Sequence, residues 1–187
     1  MKPRPFHIWF LLLGLLLPNF AAAQCLQDKT TSASVFVGNF YQWYRIQKES
    51  SYDAIFKGKG ACFAPALFKL MQRERQGNAL CPGEAFLDWD PFVASNAFIP
   101  SEARVRIGTE SAVNGIVQVP VTLTYQGGHE SKKLILELIK GEYWQIKDLV
   151  DPSATIPVNQ RFSTVLEELG KSITACQKER APKATKN

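Results

Sequence analysis

The chain has 187 residues, 45% of them hydrophobic, with a formal net charge of +5 and four cysteines. That size suits a single domain of ordinary dimensions. So small a charge, spread along the sequence, argues against nucleic acid or an acidic membrane as partner.

The first 23 residues read as a cleavable secretory signal peptide. Lys2 and Arg4 give a positive start, Phe6 to Leu17 an apolar run, and Ala21-Ala22-Ala23 a small-residue cleavage site. The run is shorter than the roughly 20 residues that a bilayer core of about 30 Å requires. Gln24 stands before Cys25 where a lipidation signal needs a small residue, so the expectation is a released periplasmic or secreted protein, cut after Ala23. The mature domain is expected over residues 24–178, with a basic disordered tail at 179–187.

All four cysteines lie beyond the cut, and an even number in an exported chain favours disulfides. Zinc fits poorly, because no CxxC spacing occurs and His129 is the one histidine left. No metal or cofactor is expected. Their order along the chain points to Cys62–Cys81 around one helical segment and Cys25–Cys176 between the two ends. The entropy model assigns about 3 kcal/mol to the shorter loop and about 4–5 kcal/mol to the longer.

A first helix is expected from about Ser32 to Lys48, with Ser32 or Thr31 as N-cap and an aromatic stripe of Phe36, Phe40, Trp43, Tyr41 and Tyr44. A polar loop follows, with a short turn near Tyr52–Phe56. Its Lys57-Gly58-Lys59-Gly60 lacks the ending of a phosphate loop. The second helix runs from about Phe63 to Gln76, with Pro65 in its first turn, Arg73, Glu74 and Arg75 toward water, and Gly77-Asn78 as its stop. Residues 84–92 read as an extended corner, which would put Asp88 and Asp90 on one side with Trp89 opposite.

The period then changes from 3.6 to 2. Strands are expected at Val105–Thr109, Ile116–Tyr125, Lys133–Lys140 and Tyr143–Val150, with Asn114-Gly115 and Gly127-Gly128 as turns. Pro120 demands an edge position or a bulge. A closing helix spans about Asn159 to Lys178, with Cys176 on its buried stripe. The expected class is α+β: a curved antiparallel meander of about four strands, packed on N-terminal helices in a cone-like arrangement, with a C-terminal helix.

Three segments carry a resemblance. Phe36-Val37-Gly38-Asn39-Phe40-Tyr41-Gln42-Trp43-Tyr44, Asp88-Trp89-Asp90-Pro91-Phe92 and Trp144-Gln145-Ile146-Lys147-Asp148-Leu149 are similar, in order, to motifs of a family of exported bacterial proteins, domain of unknown function 3828. The resemblance spans roughly Val35 to Val150 and implies a nuclear-transport-factor-2-like cone. It implies no activity, and Ala94-Ser95-Asn96 stand where many relatives carry an acid.

Such a cone can host a proton shuttle in an apolar pocket, for which Asp88, Asp90, Asp148 and His129 are the available groups, with Tyr41 or Tyr44 as electrophiles. Each has a structural explanation in a turn, a strand end or a hairpin tip. No serine or cysteine has a partnered base, so no catalytic residue is assigned. Tyr41, Tyr44, Asp88, Asp90 and Trp144 remain as candidate pocket or rim residues. The leading expectation is a non-catalytic binding module of the cell envelope, for a small apolar ligand or an envelope protein. A periplasmic immunity or inhibitor protein against a secreted toxin comes second, and a proton-transfer enzyme of the isomerase or dehydratase type third.

Overall fold

The structure is a computed structural model that describes residue 25 and residues 31–47, 51–81, 87, 89–94, 100–125, 131–155 and 158–180. Expectations for the signal segment, Asp88, Asn96, Gly127-Gly128, His129 and positions 181–187 fall outside the described residues.

Helix α1 (Ala33–Arg45) begins where Ser32 Oγ accepts a hydrogen bond from Val35 N. This satisfies one of the donors that every helix leaves open at its start. Phe36, Val37, Phe40, Tyr41 and Tyr44 are buried along one face. The turn expected near Tyr52 is a short helix, α2 (Ser51–Phe56).

Helix α3 (Pro65–Leu80) has Pro65 in its first turn, as expected, but starts there rather than at Phe63 and does not stop at Gly77-Asn78. Gly77 lies inside it, where a Cβ would clash with the side chain of Ile173. The glycine marks a close crossing with the last helix, α4 (Phe162–Arg180). Glu74, assigned to the solvent side, is also a correction: it is buried, with Oε1 accepting from Leu87 N at 3.1 Å.

Among the described residues the sheet is antiparallel and has six strands where about four were expected. In chain order they are β1 (Arg104–Ile107), β2 (Ser111–Val113), β3 (Ile116–Thr124), β4 (Ser131–Lys140), β5 (Trp144–Thr155) and β6 (Val158–Arg161). The spatial order is β1-β3-β4-β5-β6, with β2 also on β3. Asn114 and Gly115 both have positive φ, 51° and 76°, which is the conformation of a two-residue hairpin turn. β5 continues past Pro152, which sits in an irregular stretch between Asp151 and Thr155, and pairs with β6 on both sides of that stretch. Residues assigned to the start of the last helix thus become an edge strand, and that helix extends through Glu179 and Arg180.

Pro120 occupies a central strand at a break in its neighbour. β1 pairs with residues 121–124 of β3 and β2 with residues 116–118, so the main chain at 108–110 is interrupted opposite the proline. Gly108 N donates to Pro120 O at 2.7 Å. Pro120 accepts from Gly108 but has no N–H to return the bond, so this pair keeps one of its two bonds and regular β1 pairing ends there.

The disulfides join Cys25 to Cys62 and Cys81 to Cys176, which corrects the expected pairing. Cys62 and Cys81 lie at opposite ends of α3. Its 16 residues span about 24 Å at 1.5 Å per residue, far beyond the reach of one bridge. One disulfide instead ties the approach to α1 to the turn before α3. The other joins the C-terminal ends of α3 and α4. The buried faces of the helices and the inward residues Val119, Val121, Leu123, Leu134, Leu136, Leu138 and Ile146 form one core.

Candidate functional site

A turn at residues 90–94 closes on α1. Tyr44 Oη donates to the carboxylate of Asp90, 2.8 Å from each oxygen. Phe92 N donates to Asp90 Oδ1 at 2.9 Å, and Val93 N to the Asp90 carbonyl at 3.3 Å. Tyr41 Oη donates to Phe92 O at 3.0 Å, and Tyr125 Oη, from the end of β3, donates to Val93 O. Three tyrosine hydroxyls therefore meet three residues of one turn, Asp90, Phe92 and Val93. The local reason is helical spacing: residues three apart share a face, so Tyr41 and Tyr44 reach adjacent points of the same segment.

Burial pushes the Asp90 carboxyl up to about 6, against the lowering effect of the Tyr44, Phe92 and Val93 donors. Tyr44 is held well above the ordinary tyrosine range, first by burial and then by the Asp90 charge; burial, then Asp90, raises Tyr41 too. A carboxyl near 6 can carry a proton at neutral pH. These phenols cannot readily lose one, and both are fully buried among Phe40, Phe63 and Phe92. The arrangement is a clasp on the turn.

Tyr52 lies beside this group. Its hydroxyl is buried, and burial and Glu74 raise its pKa, but the two side chains do not reach hydrogen-bond geometry. Burial likewise raises Glu74, while the Leu87 amide lowers it.

Trp144 stands apart from the aspartate. Its Nε1 donates to Thr31 O at 2.7 Å, and Lys140 Nζ lies 4.6 Å from the indole centroid. It anchors the chain just before α1. Of the five candidate residues, the structure brings Tyr41, Tyr44 and Asp90 together and places Trp144 elsewhere; Asp88 is outside the described residues.

Asp148 belongs to a second polar cluster. A bulge around Lys147 shifts the register of β5, so Asp148 lies directly opposite Glu137. Arg161 donates to both oxygens of Glu137, at 2.7 and 2.8 Å, and to Asp148 Oδ2 at 3.2 Å. Asp148 also accepts from Ser163 N and Oγ at the start of α4, and Gln118 donates to Glu137. The Arg161 hydrogen bonds hold the Glu137 carboxyl below its usual range despite burial. Reasoning from sequence missed Glu137 and Arg161. The available signal was that Ile135, Glu137 and Ile139 share one face of β4 while leucines occupy the other, so both faces are covered.

Two clefts lie at the surface. One of about 330 Å³ lies between α1 and β1, lined in part by Gly38, Tyr41, Arg45, Val105 and Ile107. Another, of about 530 Å³, lies beside Trp43, Ile46 and Lys59. Among the described residues, no group of His, Cys, Asp and Glu is placed to hold a metal, and no helix is long and apolar enough to cross a membrane. No family model matches the chain, and neither the curated proteins nor the solved structures yield a match.

Proposed function

We propose that this chain is a non-catalytic binding module of the bacterial cell envelope, exported by its N-terminal segment, which takes a protein partner on its surface. The observation that carries this reading is the filled interior. Phe40 is in ring contact with Tyr41, Trp43, Tyr44, Phe63 and Phe92, so the side chains expected to line a ligand pocket pack against one another. The aspartate that would serve as a proton shuttle has its oxygens engaged by the Tyr44 hydroxyl and the Phe92 amide. Both disulfides and the resemblance to exported proteins support the compartment. A secreted toxic enzyme would be one partner of this kind.

Chemical cross-linking in intact envelopes, read by mass spectrometry, tests the proposal. The expected result is a defined protein joined to surface lysines, with no small molecule retained in native mass spectra. A stoichiometric apolar ligand, or a melting temperature that rises against an apolar library, would replace the partner with a pocket. The aspartate supplies the observation behind an enzyme reading, since its carboxyl titrates near 6. If Asp90→Asn abolished a turnover while leaving the melting temperature unchanged, that reading would displace ours.

A further inference from the structure

The cleft between α1 and β1 borders a sheet edge that pairs with no further strand among the described residues, and the main chain there has a definite polarity. Residues along an antiparallel strand alternate between those that exchange main-chain hydrogen bonds with a given neighbour and those that face away. Gly108 N bonds to Pro120 O, and the register runs Ile107↔Val121, Arg106↔Thr122, Val105↔Leu123 and Arg104↔Thr124. Arg104 and Arg106 therefore direct their main-chain groups toward β3. Val105 and Ile107 direct theirs outward, where they have no hydrogen-bond partner among the described residues.

The side chains alternate in step. Val105 and Ile107 are half-buried and line the cleft opposite Gly38, Tyr41 and Gln42 of α1. A Cβ at Gly38 would meet nothing within 4 Å, so the helix leaves room there. Arg104 and Arg106 project from the other face, exposed and without a carboxylate partner among the described residues. Arg45, which donates to Ser101 O, adds a third positive charge at the end of the cleft. Glu110, beyond the end of β1, accepts from Ser34 N in the first turn of α1.

Resting on the reading of this chain as a protein-binding module, we infer that β1 is the docking edge. Its ligand is an extended segment of the partner in which apolar residues alternate with acidic ones. The segment adds antiparallel or parallel to β1, exchanging main-chain hydrogen bonds with Val105 and Ile107. Its apolar side chains enter the cleft against α1, and its carboxylates lie across from Arg104 and Arg106. The rival explanation is protective: arginines on an edge strand discourage unwanted pairing, and the break at 108–110 does the same.

The probe is a blocked eight-residue peptide alternating valine and glutamate, titrated into the mature full-length protein. It should bind saturably, weaken with added salt, and slow amide exchange at Val105 and Ile107 at least tenfold. Arg104→Glu with Arg106→Glu should reverse the preference, losing that peptide at least tenfold and gaining its valine–lysine counterpart. Methylating the peptide's alternate amides should abolish binding, an arm that leaves the protein's own folding untouched. Absence of binding by either peptide would favour the protective explanation and overturn the inference. So would equal binding of both charges, insensitivity to methylation, or self-association of the chain through β1. Cross-links from an envelope partner that map only to another face would also overturn it while sparing the binding-module reading. Absence of a partner at every face would overturn both.

Discussion

Asp90 sits 2.8 Å from a phenol that cannot readily ionise, and its carboxyl is raised from 3.8 to about 6. The sign of its effect on stability follows from linkage. Between about pH 4 and 6 the unfolded chain has lost this proton and the folded chain keeps it, so stability falls as pH rises through that window. A shift of that size corresponds to about 3 kcal/mol. Asp90→Asn keeps acceptors for Tyr44 and Phe92 and removes the charge. It should flatten the slope of stability between pH 4 and 6 relative to wild type, measured by urea melts at several pH values. Glu137 works in the opposite direction. Its depressed pKa contributes stability above its ordinary value, which is lost as pH falls through the folded one. Arg161→Met leaves Glu137 and Asp148 facing each other, 2% and 4% exposed. The expected loss is about 2–4 kcal/mol; the half-exposed guanidinium keeps it below the cost of breaking a fully buried pair. Chemical denaturation at pH 7 measures it, and an unchanged midpoint would remove the cluster from the account of stability.

At the scale of elements, the α3–α4 crossing depends on one absent side chain. Alanine at position 77 would gain about 1 kcal/mol of helix propensity but place a methyl within 2.8 Å of three atoms of Ile173. A β-branched side chain has little freedom to move aside. Gly77→Ala should therefore destabilise by about 1–3 kcal/mol, and Ile173→Ala added to it should recover part of that loss. Thermal melts of the two single variants and the double variant would show the coupling. If Gly77→Ala alone raised the melting temperature, propensity would outweigh packing and the crossing would be looser than described.

Across the whole molecule, the two disulfides fasten different parts of the fold. Cys25–Cys62 closes a separation of 37 residues and Cys81–Cys176 one of 95. The entropy model assigns them about 4 and about 5 kcal/mol. Replacing the second pair by alanine should lower stability more, since it also frees the ends of two packed helices. Peptide mapping without reduction should recover Cys25 with Cys62 and Cys81 with Cys176. Recovery of Cys62 with Cys81 would contradict the 16-residue helix between them.

Periodicity alone determined a great deal: the aromatic face of α1, the inward valines and leucines of β3 and β4, the Asn114-Gly115 turn, and the α+β class. Those features are local, because burial on a helix or strand follows from spacing of 3.6 or 2. Tyr41, Tyr44 and Asp90 were legible as individual candidates for the same reason. Their union was not, since a phenol and a carboxylate 46 positions apart meet only through the path of the chain. The tertiary structure also decided the cysteine pairing, the role of Gly77, and the Glu137–Asp148–Arg161 cluster. Each depends on which elements lie side by side, and a bulge that moves a side chain to the other face leaves no regular trace in the sequence.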